Sequence, residues 1–489
     1  MIMKSNKTIK YKTMLLTDIF GYFILVMYVV ASLLVSYYIF VNFSHTKERN
    51  FIYDNLFRWF IVAGFATPSI TLFMISIDKL CSEDMSKNNF GFEFDLELPL
   101  KLVMFFLLFS FFTNTFARVF YNQSLDMKIR HRIQKASSVT LIALAIYGLL
   151  ILLTAFLYDN KVKYKTTYVI APFMFLGGLS FAFFASIGMS AFPLELILLF
   201  VHKPQRPNAE ELFWGKNILL EENKKMLAIA KKCYDLDAEI QIKEGLGSDA
   251  SLFEQKKVLN KKLNDLRVEF RKFEDFYDSY SQMLSQEDAN MILDATGFFI
   301  GISGCLLSIL IVSHMILGFF NMFFLLDGFL TSINAIFGVV MFLFISLYLV
   351  VCIVKGIGVM SSRYPYLFED YKYRMNKTWS DAFLVTLNVL NVSVLGLICF
   401  YVRFLPGYME HTLWGDIVKT VVRDVRGVRF IYEVGAFEVV FVLLFFYSVF
   451  MGLTQIRNEN LINTKIKEKM AKHEKDKKKV QTLQNKTSI

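Results

Sequence analysis

One carboxylic acid, three amides, a guanidinium and an imidazole interrupt long apolar stretches of this sequence. Such side chains normally face the interior of a helix bundle, because lipid cannot satisfy their hydrogen bonds. There they act either as polar contacts between helices or as the lining of a route for a polar solute, and both interpretations stay open. The predicted intramembrane polar site consists of Glu195, Asn114, Arg118, Asn388, Asn391 and His314.

The spacing of these residues places several of them on shared helix faces. Asn388 and Asn391 lie three positions apart and therefore share one face of a helix. Asn114 and Arg118, four positions apart, do the same. Arg118 is also close enough to the end of its apolar stretch to extend its guanidinium to the lipid headgroups.

Glu195 allows two interpretations. It lies near the end of an apolar stretch, in "GMSAFPLELI" at 188–197, with Lys203 and Arg206 following. Near the membrane interface it can pair with either cation at little cost. A carboxylate that faces a lumen deeper in the bilayer costs several kcal/mol unless it is paired, and indicates a functional site.

The composition predicts which elements position these side chains. The chain has 489 residues, of which 55% are hydrophobic and 16% aromatic. Its apolar runs exceed the roughly 20 residues that span a bilayer as a helix. We therefore predict an all-α polytopic membrane protein. The net charge of +10 lies mainly in short loops and the C-terminal tail, where it fixes topology and meets anionic lipid, and does not indicate nucleic-acid binding.

Nine transmembrane helices are predicted from hydropathy. The fifth is too long for one straight crossing, and Pro193 is a candidate for a kink or for its end. The predicted spans lie near 16–42, 55–77, 99–121, 138–158, 168–200, 293–318, 333–354, 382–402 and 436–456.

The sequence does not predict an enzyme. It has no phosphate-binding glycine loop and no HExxH or GxSxG motif. Its five cysteines are scattered singly, without the spacing of a disulfide framework or a zinc site. We therefore expect no catalytic residue, no cofactor and no metal.

A soluble segment at 202–291 separates the fifth and sixth spans. The stretch "EGLGSDAS" at 244–251 breaks its helical pattern, and apolar residues repeat in steps of three and four on both sides. This predicts a cytosolic antiparallel coiled-coil hairpin, which is either a spacer or a docking arm for a partner protein. The residues of its seam are Leu259, Leu263, Leu266, Phe270, Phe273 and Tyr277.

The predicted hairpin divides the chain into domains. Residues 1–201 form a first transmembrane half with five spans, and 292–456 form a second half with four. The hairpin at 202–291 lies between them, and a basic cytosolic tail at 457–489 is expected to be disordered.

The distribution of positive charge favours an external N-terminus. With that orientation, the cytosolic loops and the tail hold more Lys and Arg than the opposite side, and the acidic "DLELP" at 95–99 lies outside. Four lysines before the first span, in "MIMKSNKTIKYKT", favour the reverse orientation. A cleaved signal peptide is not expected, because the first apolar stretch is too long.

Small residues recur along the fifth span and at the start of the sixth. Small side chains at every fourth position let another helix backbone approach closely. We expect packing within the chain, and a dimer interface is the alternative. The predicted packing residues are Gly178, Ala182, Ser186, Ser190, Gly297 and Gly301.

The longest external segment is 403–435. Trp414, Tyr408 and the periodic "IVKTVVRDV" predict a short amphipathic helix on the membrane surface. This helix is either a contact for an external ligand or a simple connector.

This organisation resembles the limb-region (LMBR-type) membrane protein family, which includes a lysosomal cobalamin transport protein and a lipocalin-interacting membrane receptor. The similar features are the five-plus-four spans, the coiled-coil segment between them, "GMSAFPLELI", and "ATPSITLFMIS" at 66–76 with its central Pro68. The resemblance implies an external N-terminus, a cytosolic C-terminus and no catalysis. Ser69, Ile70 and Glu195 depart from the family pattern, so no ligand chemistry follows from it.

Three classes of function are consistent with the sequence. The first is a receptor or transport-accessory protein in the plasma membrane or an endomembrane, which couples an external ligand or membrane partner to the hairpin. The second is a transporter or channel for a small solute, with a polar route through the bundle. A third is a structural subunit of a membrane assembly. A sealed bundle centre favours the receptor, whereas an open cavity lined by Asn114, Asn388 and Glu195 favours conduction.

Overall fold

A computed structural model of the protein describes most of the chain. The described residues are 2–44, 54–87, 97–121, 129–157, 166–201, 209–243, scattered positions between 254 and 270, 290–320, 325–333, 335–363, 373, 378, 380–410, 412–424, 429, 432 and 434–453. Two isolated residues, Ser44 and Thr378, form a β-bridge, and the other regular structure in these ranges is helical. The predicted all-α class is confirmed.

The helices follow the apolar stretches of the sequence. They are α1 (Ile2–Phe43), α2 (Asp54–Lys87), α3 (Glu97–Tyr121), α4 (Ile129–Leu157), α5 (Thr166–Val201), α6 (Ala209–Lys243), α7 (Asn290–Phe319), α8 (Leu325–Ser332), α9 (Ala335–Arg363), α10 (Ser380–Phe404), α11 (Leu413–Asp424) and α12 (Ala436–Leu453).

Eight of the helices in the described ranges are long and apolar enough to cross a bilayer. They are α1, α2, α4, α5, α7, α9, α10 and α12. The third predicted span corresponds to α3, whose apolar part over the described side chains is the shorter stretch Phe105–Phe120. The total of nine spans therefore stays a prediction.

Helix α5 is longer than a bilayer crossing requires. Its 36 residues reach about 54 Å at 1.5 Å per residue, against a hydrocarbon layer of about 30 Å. Pro172 and Pro193 both lie inside it, and the helix continues past Pro193 to Val201. Pro193 therefore does not end the span. The length requires α5 to tilt or to extend beyond the hydrocarbon layer.

The described residues form two compact units. One comprises Met1–Glu195 with Ile300–Phe450, and the other comprises Leu196–Phe299 with Met451–Ile489. All residues of the predicted polar site belong to the first unit. The predicted domain boundaries stay a prediction.

Burial separates central from peripheral helices within the first unit. In α5 and α10, 72% of the most apolar window is buried, whereas in α4 none of it is. The side chains of α4 are instead exposed along most of the helix, as expected for a surface that faces lipid. Helices α5 and α10 are therefore at the centre of the bundle.

Helix α5 crosses its neighbours through glycines that leave the backbones in direct contact. A Cβ atom on Gly177 of α5 would overlap the carbonyl oxygen of Val392 in α10, and one on Gly396 of α10 would overlap Gly177. On α9, a Cβ on Gly356 would overlap the carbonyl oxygen of Phe184 in α5. A Cβ on Gly188 of α5 would likewise overlap the carbonyl oxygen of Cys352 in α9. No larger residue fits at these crossings without moving a helix.

The predicted small-residue stripe lies next to these crossings. Ala182, Ser186 and Ser190 are each at most 3% exposed. The hydroxyl of Ser190 donates a hydrogen bond to that of Ser448 on α12, at 2.6 Å. Gly178 is buried as well, and a Cβ there would lie 3.2 Å from the ring of Phe437. The stripe is thus packed within the chain, while the tightest contacts use the neighbouring glycines.

The contact between α5 and α7 uses the later part of the small-residue stripe on α7. A Cβ on Gly297 would meet no described atom within 4 Å. Gly301 is buried, and one turn later a Cβ on Gly304 would lie 3.2 Å from the Cβ of Pro193. The close approach therefore occurs nearer the middle of α7, because its first turns extend beyond the compact part of the first unit.

In the second unit, the described seam residues are more buried than their neighbours. Leu263 is 7% exposed, as is Cys233 on α6. Leu259, Leu266 and Phe270 are partly buried, whereas lysines between them are exposed. Phe273 and Tyr277 lie outside the described residues. A coiled-coil hairpin stays a prediction.

We predict that Gly356→Ala destabilises the protein and Gly358→Ala does not. The new methyl group at 356 collides with the backbone of α5, and overpacking of this kind costs about 1–3 kcal/mol or more. At Gly358 no described atom lies within 4 Å of the added methyl, and alanine favours a helix by up to about 1 kcal/mol. Thermal unfolding of the detergent-solubilised variants measures the difference. Equal melting temperatures would contradict the crossing.

Candidate functional site: polar interfaces of the helix bundle

Polar side chains join α3 and α10 across the middle of the first unit. The amide of Asn391 donates a hydrogen bond to the hydroxyl of Ser110 at 2.7 Å. The amide of Asn388 donates a longer one, 3.4 Å, to the hydroxyl of Thr115. The contacts pair rising numbers on α3 with falling numbers on α10, so the two helices run antiparallel.

An ion pair continues this interface towards the start of α10. The guanidinium Nε of Arg118 donates to the carboxylate of Asp381 at 3.0 Å, and both side chains are partly exposed. Arg118 thus has a protein partner near the end of its span. Asp381 lies just outside the predicted span at 382–402, so hydropathy alone does not single it out.

Asn114 is a fully buried polar residue at this interface. Neither its amide nitrogen nor its amide oxygen has a hydrogen-bond partner among the described residues. The amide oxygens of Asn388 and Asn391 also lack a hydrogen-bond partner among the described residues. A buried amide without a partner costs on the order of 1–3 kcal/mol. Small polar molecules such as water would satisfy these atoms.

Glu195 belongs to a different contact. Its carboxylate forms an ion pair with the ammonium of Lys355 on α9, and its side chain is half exposed. Such a pair contributes about 0–1 kcal/mol. The partners considered from the sequence, Lys203 and Arg206, lie outside the described residues.

His314 joins the end of α7 to two other elements. Its Nδ1 accepts a hydrogen bond from the backbone amide of Leu326 at 3.3 Å, so this nitrogen carries no proton. Its Nε2 therefore donates to the carbonyl oxygen of Phe404, 2.9 Å away. The imidazole is buried and neutral in this arrangement, and it connects α7 to the start of α8 and the end of α10.

Buried charged residues hold the segment 404–413, which follows α10. The carboxylate of Asp327 on α8 accepts hydrogen bonds from the backbone amides of Gly407 at 3.0 Å and Tyr408 at 2.8 Å. Asp327 is 9% exposed. Two bonds to one buried carboxylate fix the path of the chain, because hydrogen bonds to charged groups contribute about 1.5–3 kcal/mol.

Helix α2 holds the other end of the same segment. The carboxylate of Asp78 accepts a hydrogen bond from the backbone amide of Leu413 at 2.7 Å. The ammonium of Lys79 donates to the carbonyl oxygen of Gly407 at 3.2 Å and lies 5.6 Å from the ring centre of Tyr408. We name Asp78, Lys79 and Asp327 the loop clamp. Sequence reasoning missed it, because each residue reads as an ordinary polar end of an apolar stretch.

The loop clamp explains how α11 is packed. Thr412 caps the helix, accepting a hydrogen bond from the amide of Gly415 at 3.0 Å. Trp414 and Val418 are fully buried, and Tyr408 is nearly so. The short helix predicted in 403–435 exists, but Trp414 and Tyr408 are packed into the core and present no surface to an external ligand.

Of the predicted polar site, the structure brings together Asn114, Arg118, Asn388 and Asn391 along one interface. Glu195 and His314 make separate contacts with α9 and with the segment after α10. Among the described residues, no group of three or more His, Cys, Asp or Glu side chains could hold a metal ion.

Comparisons with known proteins give relatives over most of the chain. A LIMR family protein of Arabidopsis thaliana is 20% identical over 486 residues, which is 85% of this chain and 93% of the relative. A LIMR family protein of Oryza sativa subsp. japonica is 20% identical over 86% of this chain and 93% of its own length. One of Dictyostelium discoideum is 24% identical over 56% of this chain and 52% of its own.

The predicted resemblance to the LMBR-type family is confirmed. No family profile matches the chain, and no solved structure matches it significantly. The LIMR relatives, together with the eight membrane-length helices, make this a multi-pass integral membrane protein. The names of the relatives give a family and no ligand.

We predict that Asp327→Ala loosens the segment 404–413. The amides of Gly407 and Tyr408 lose their acceptor, and a destabilisation of about 2–4 kcal/mol is expected for a buried, doubly bonded carboxylate. Limited proteolysis and thermal unfolding measure the effect. Asp416→Ala, at an exposed position of α11, is the control, and it should cost about 1 kcal/mol or less. A similar loss in both variants would contradict the loop clamp.

Proposed function

We propose that this protein is a multi-pass membrane receptor or transport-accessory protein of the LMBR type. It couples an external ligand or a membrane partner to a cytosolic coiled-coil arm, without catalytic activity or a cofactor. The membrane is the plasma membrane or an endomembrane. The observation that carries the proposal is the tight packing of the bundle centre around α5.

The centre of the first unit is filled by apolar side chains. The most buried ones from α5, α9 and α10 are each at most 3% exposed and belong to one continuous cluster. They include Ala185, Ile187, Met189, Leu349, Cys352, Ile353, Val394, Leu397 and Ile398. Close-packed side chains of this kind leave no room for a hydrated solute, which favours a receptor over a conducting protein.

The cytosolic arm is the proposed output. Helix α5 runs on from the first unit to Val201, and α7 starts at Asn290 and runs into the first unit. Both helices are continuous, so a shift of either within the bundle would be passed along its axis. Leu263 and Cys233, buried in the second unit, support a packed arm.

Contacts in the first unit support nine spans with an external N-terminus. They place the ends of helices in two groups. Three contacts define the first group: Thr378–Phe43, Arg118–Asp381 and Glu195–Lys355. They bring together the ends of α1, α3, α5 and α9 and the start of α10. The ends of α2, α7 and α10 meet through Asp78–Leu413 and His314–Phe404. Along the sequence, the basic loops adjoin the helix ends of the first group, so this group is assigned to the cytosol.

The orientation can be tested with glycosylation. We predict that a sequon introduced by Gly427→Asn with Arg429→Thr is glycosylated, because 403–435 lies outside. The native sequon at Asn376 should stay unmodified and is the internal control. A glycosidase-sensitive gel shift reads both. Glycan on Asn376 or Asn122 would reverse the assignment.

One observation favours the alternative, a transporter or channel for a small solute. The unpartnered amide atoms of Asn114, Asn388 and Asn391 are the kind of groups that line a hydrated route. If water reaches them from either side, the interface between α3 and α10 is part of a path. If water does not reach these amides, their role is to connect α3 and α10.

Accessibility of the interface separates the two functions. We predict that Asn114→Cys in the membrane-embedded protein reacts with a membrane-impermeant thiosulfonate as slowly as the buried Cys399. Glu195→Cys, at a half-exposed position, should react at least tenfold faster, on the order expected for a solvated thiol. Peptide-resolved mass spectrometry distinguishes the new thiols from the native ones. Fast labelling of Asn114→Cys would favour the transporter.

A further inference from the structure

A small cavity lies between α5, α7, α10 and α12 in the first unit. Its volume is about 20 Å³, enough for about one water-sized group. Four phenylalanines and a tyrosine form most of its wall, and Met315 of α7, Glu438 and small residues near the crossing of α5 and α10 complete it. The only charged group among its lining residues is Glu438.

Glu438 presents one carboxylate oxygen that no described residue bonds. Its side chain is 4% exposed, which makes it one of the most buried carboxylates of the described chain. One oxygen accepts a hydrogen bond from the guanidinium Nε of Arg403 at 2.8 Å. The other, Oε2, has no hydrogen-bond partner among the described residues. Arg403 pairs with the first oxygen, and Oε2 is left as a buried acceptor without a donor among the described residues.

The aromatic walls add to the attraction for a positive charge. The ring of Phe181 lies 5.3 Å from that of Phe400 and 5.5 Å from that of Phe441. Tyr432 and Phe437 are paired edge to face at 5.4 Å. The faces of aromatic rings carry negative electrostatic potential, which favours cations within about 6 Å.

We propose that this cavity binds an ammonium group, either the ammonium ion or the head of a small primary amine. Oε2 of Glu438 is an acceptor and cannot bond an anion, and an apolar molecule leaves it without a donor. Water satisfies the oxygen but gains nothing from the rings. An ammonium group donates a charge-assisted hydrogen bond and interacts with the aromatic faces at the same time.

The position of the cavity indicates the side from which the ligand enters. Glu438 lies in the first turn of α12, and Gly435 just before it has a φ of 73°, a conformation that favours glycine. Arg403 lies in the last turn of α10. Both belong to the end of the bundle that the topology assigns to the outside. The proposed ammonium site does not rest on the receptor function proposed above.

The test compares ammonium with potassium, a cation of similar size that has no N–H donor. We expect the melting temperature of the full chain in detergent to rise with ammonium chloride between about 1 and 100 mM, as mass action requires. Potassium chloride at equal ionic strength should produce no such rise. Glu438→Gln should abolish the ammonium effect, and Glu195→Gln, at a half-exposed carboxylate outside the cavity, should retain it.

A second variant keeps the test decisive if Glu438→Gln does not fold. Phe437→Leu preserves the carboxylate and removes one aromatic wall, so it should shift the ammonium response to at least threefold higher concentration, the order expected from losing one cation–π contact. Equal responses to ammonium and potassium would overturn the proposal. An unchanged ammonium response in Phe437→Leu or in a folded Glu438→Gln variant would do the same.

Discussion

The close approach of α5 to α9 and α10 is the contact on which the rest of the bundle depends. In a bilayer no hydrophobic force drives helices together, so association relies on packing and on polar contacts. Gly177 and Gly396 at one crossing, with Gly188 and Gly356 at the other, let the backbones touch. Because α5 is fixed against both partners, the apolar side chains around it can fill most of the centre.

The polar contacts fall on either side of this packed centre. Asn388 and Asn391 tie α3 to α10 inside the bundle, while the loop clamp ties α2 and α8 to the segment after α10. Helix α10 takes part in the contacts with α3, and its backbone also touches α5 at Gly396. These contacts on two sides are consistent with the large buried share of its apolar window.

The sequence predicts the helical class, the family resemblance and the burial of Asn114, Asn391 and His314, since these follow from hydropathy and from the cost of polar groups in lipid. It does not predict partners. Glu195 pairs with Lys355, about 160 positions away, and no local pattern encodes that distance. For the same reason Gly356 and Gly358 look equivalent in sequence, although one touches a backbone and the other meets open space.

The bonds between α3 and α10 also constrain the order of assembly. Ser110 and Asn391 are 281 positions apart, and Arg118 and Asp381 are 263 apart. A ribosome adds about 5–20 residues per second, so α3 waits tens of seconds for its partner after it has been made. During that time its buried-face polar groups have no α10 to bond. Membrane insertion must therefore either retain α3 beside the translocation machinery or delay its transfer to lipid until the second half arrives.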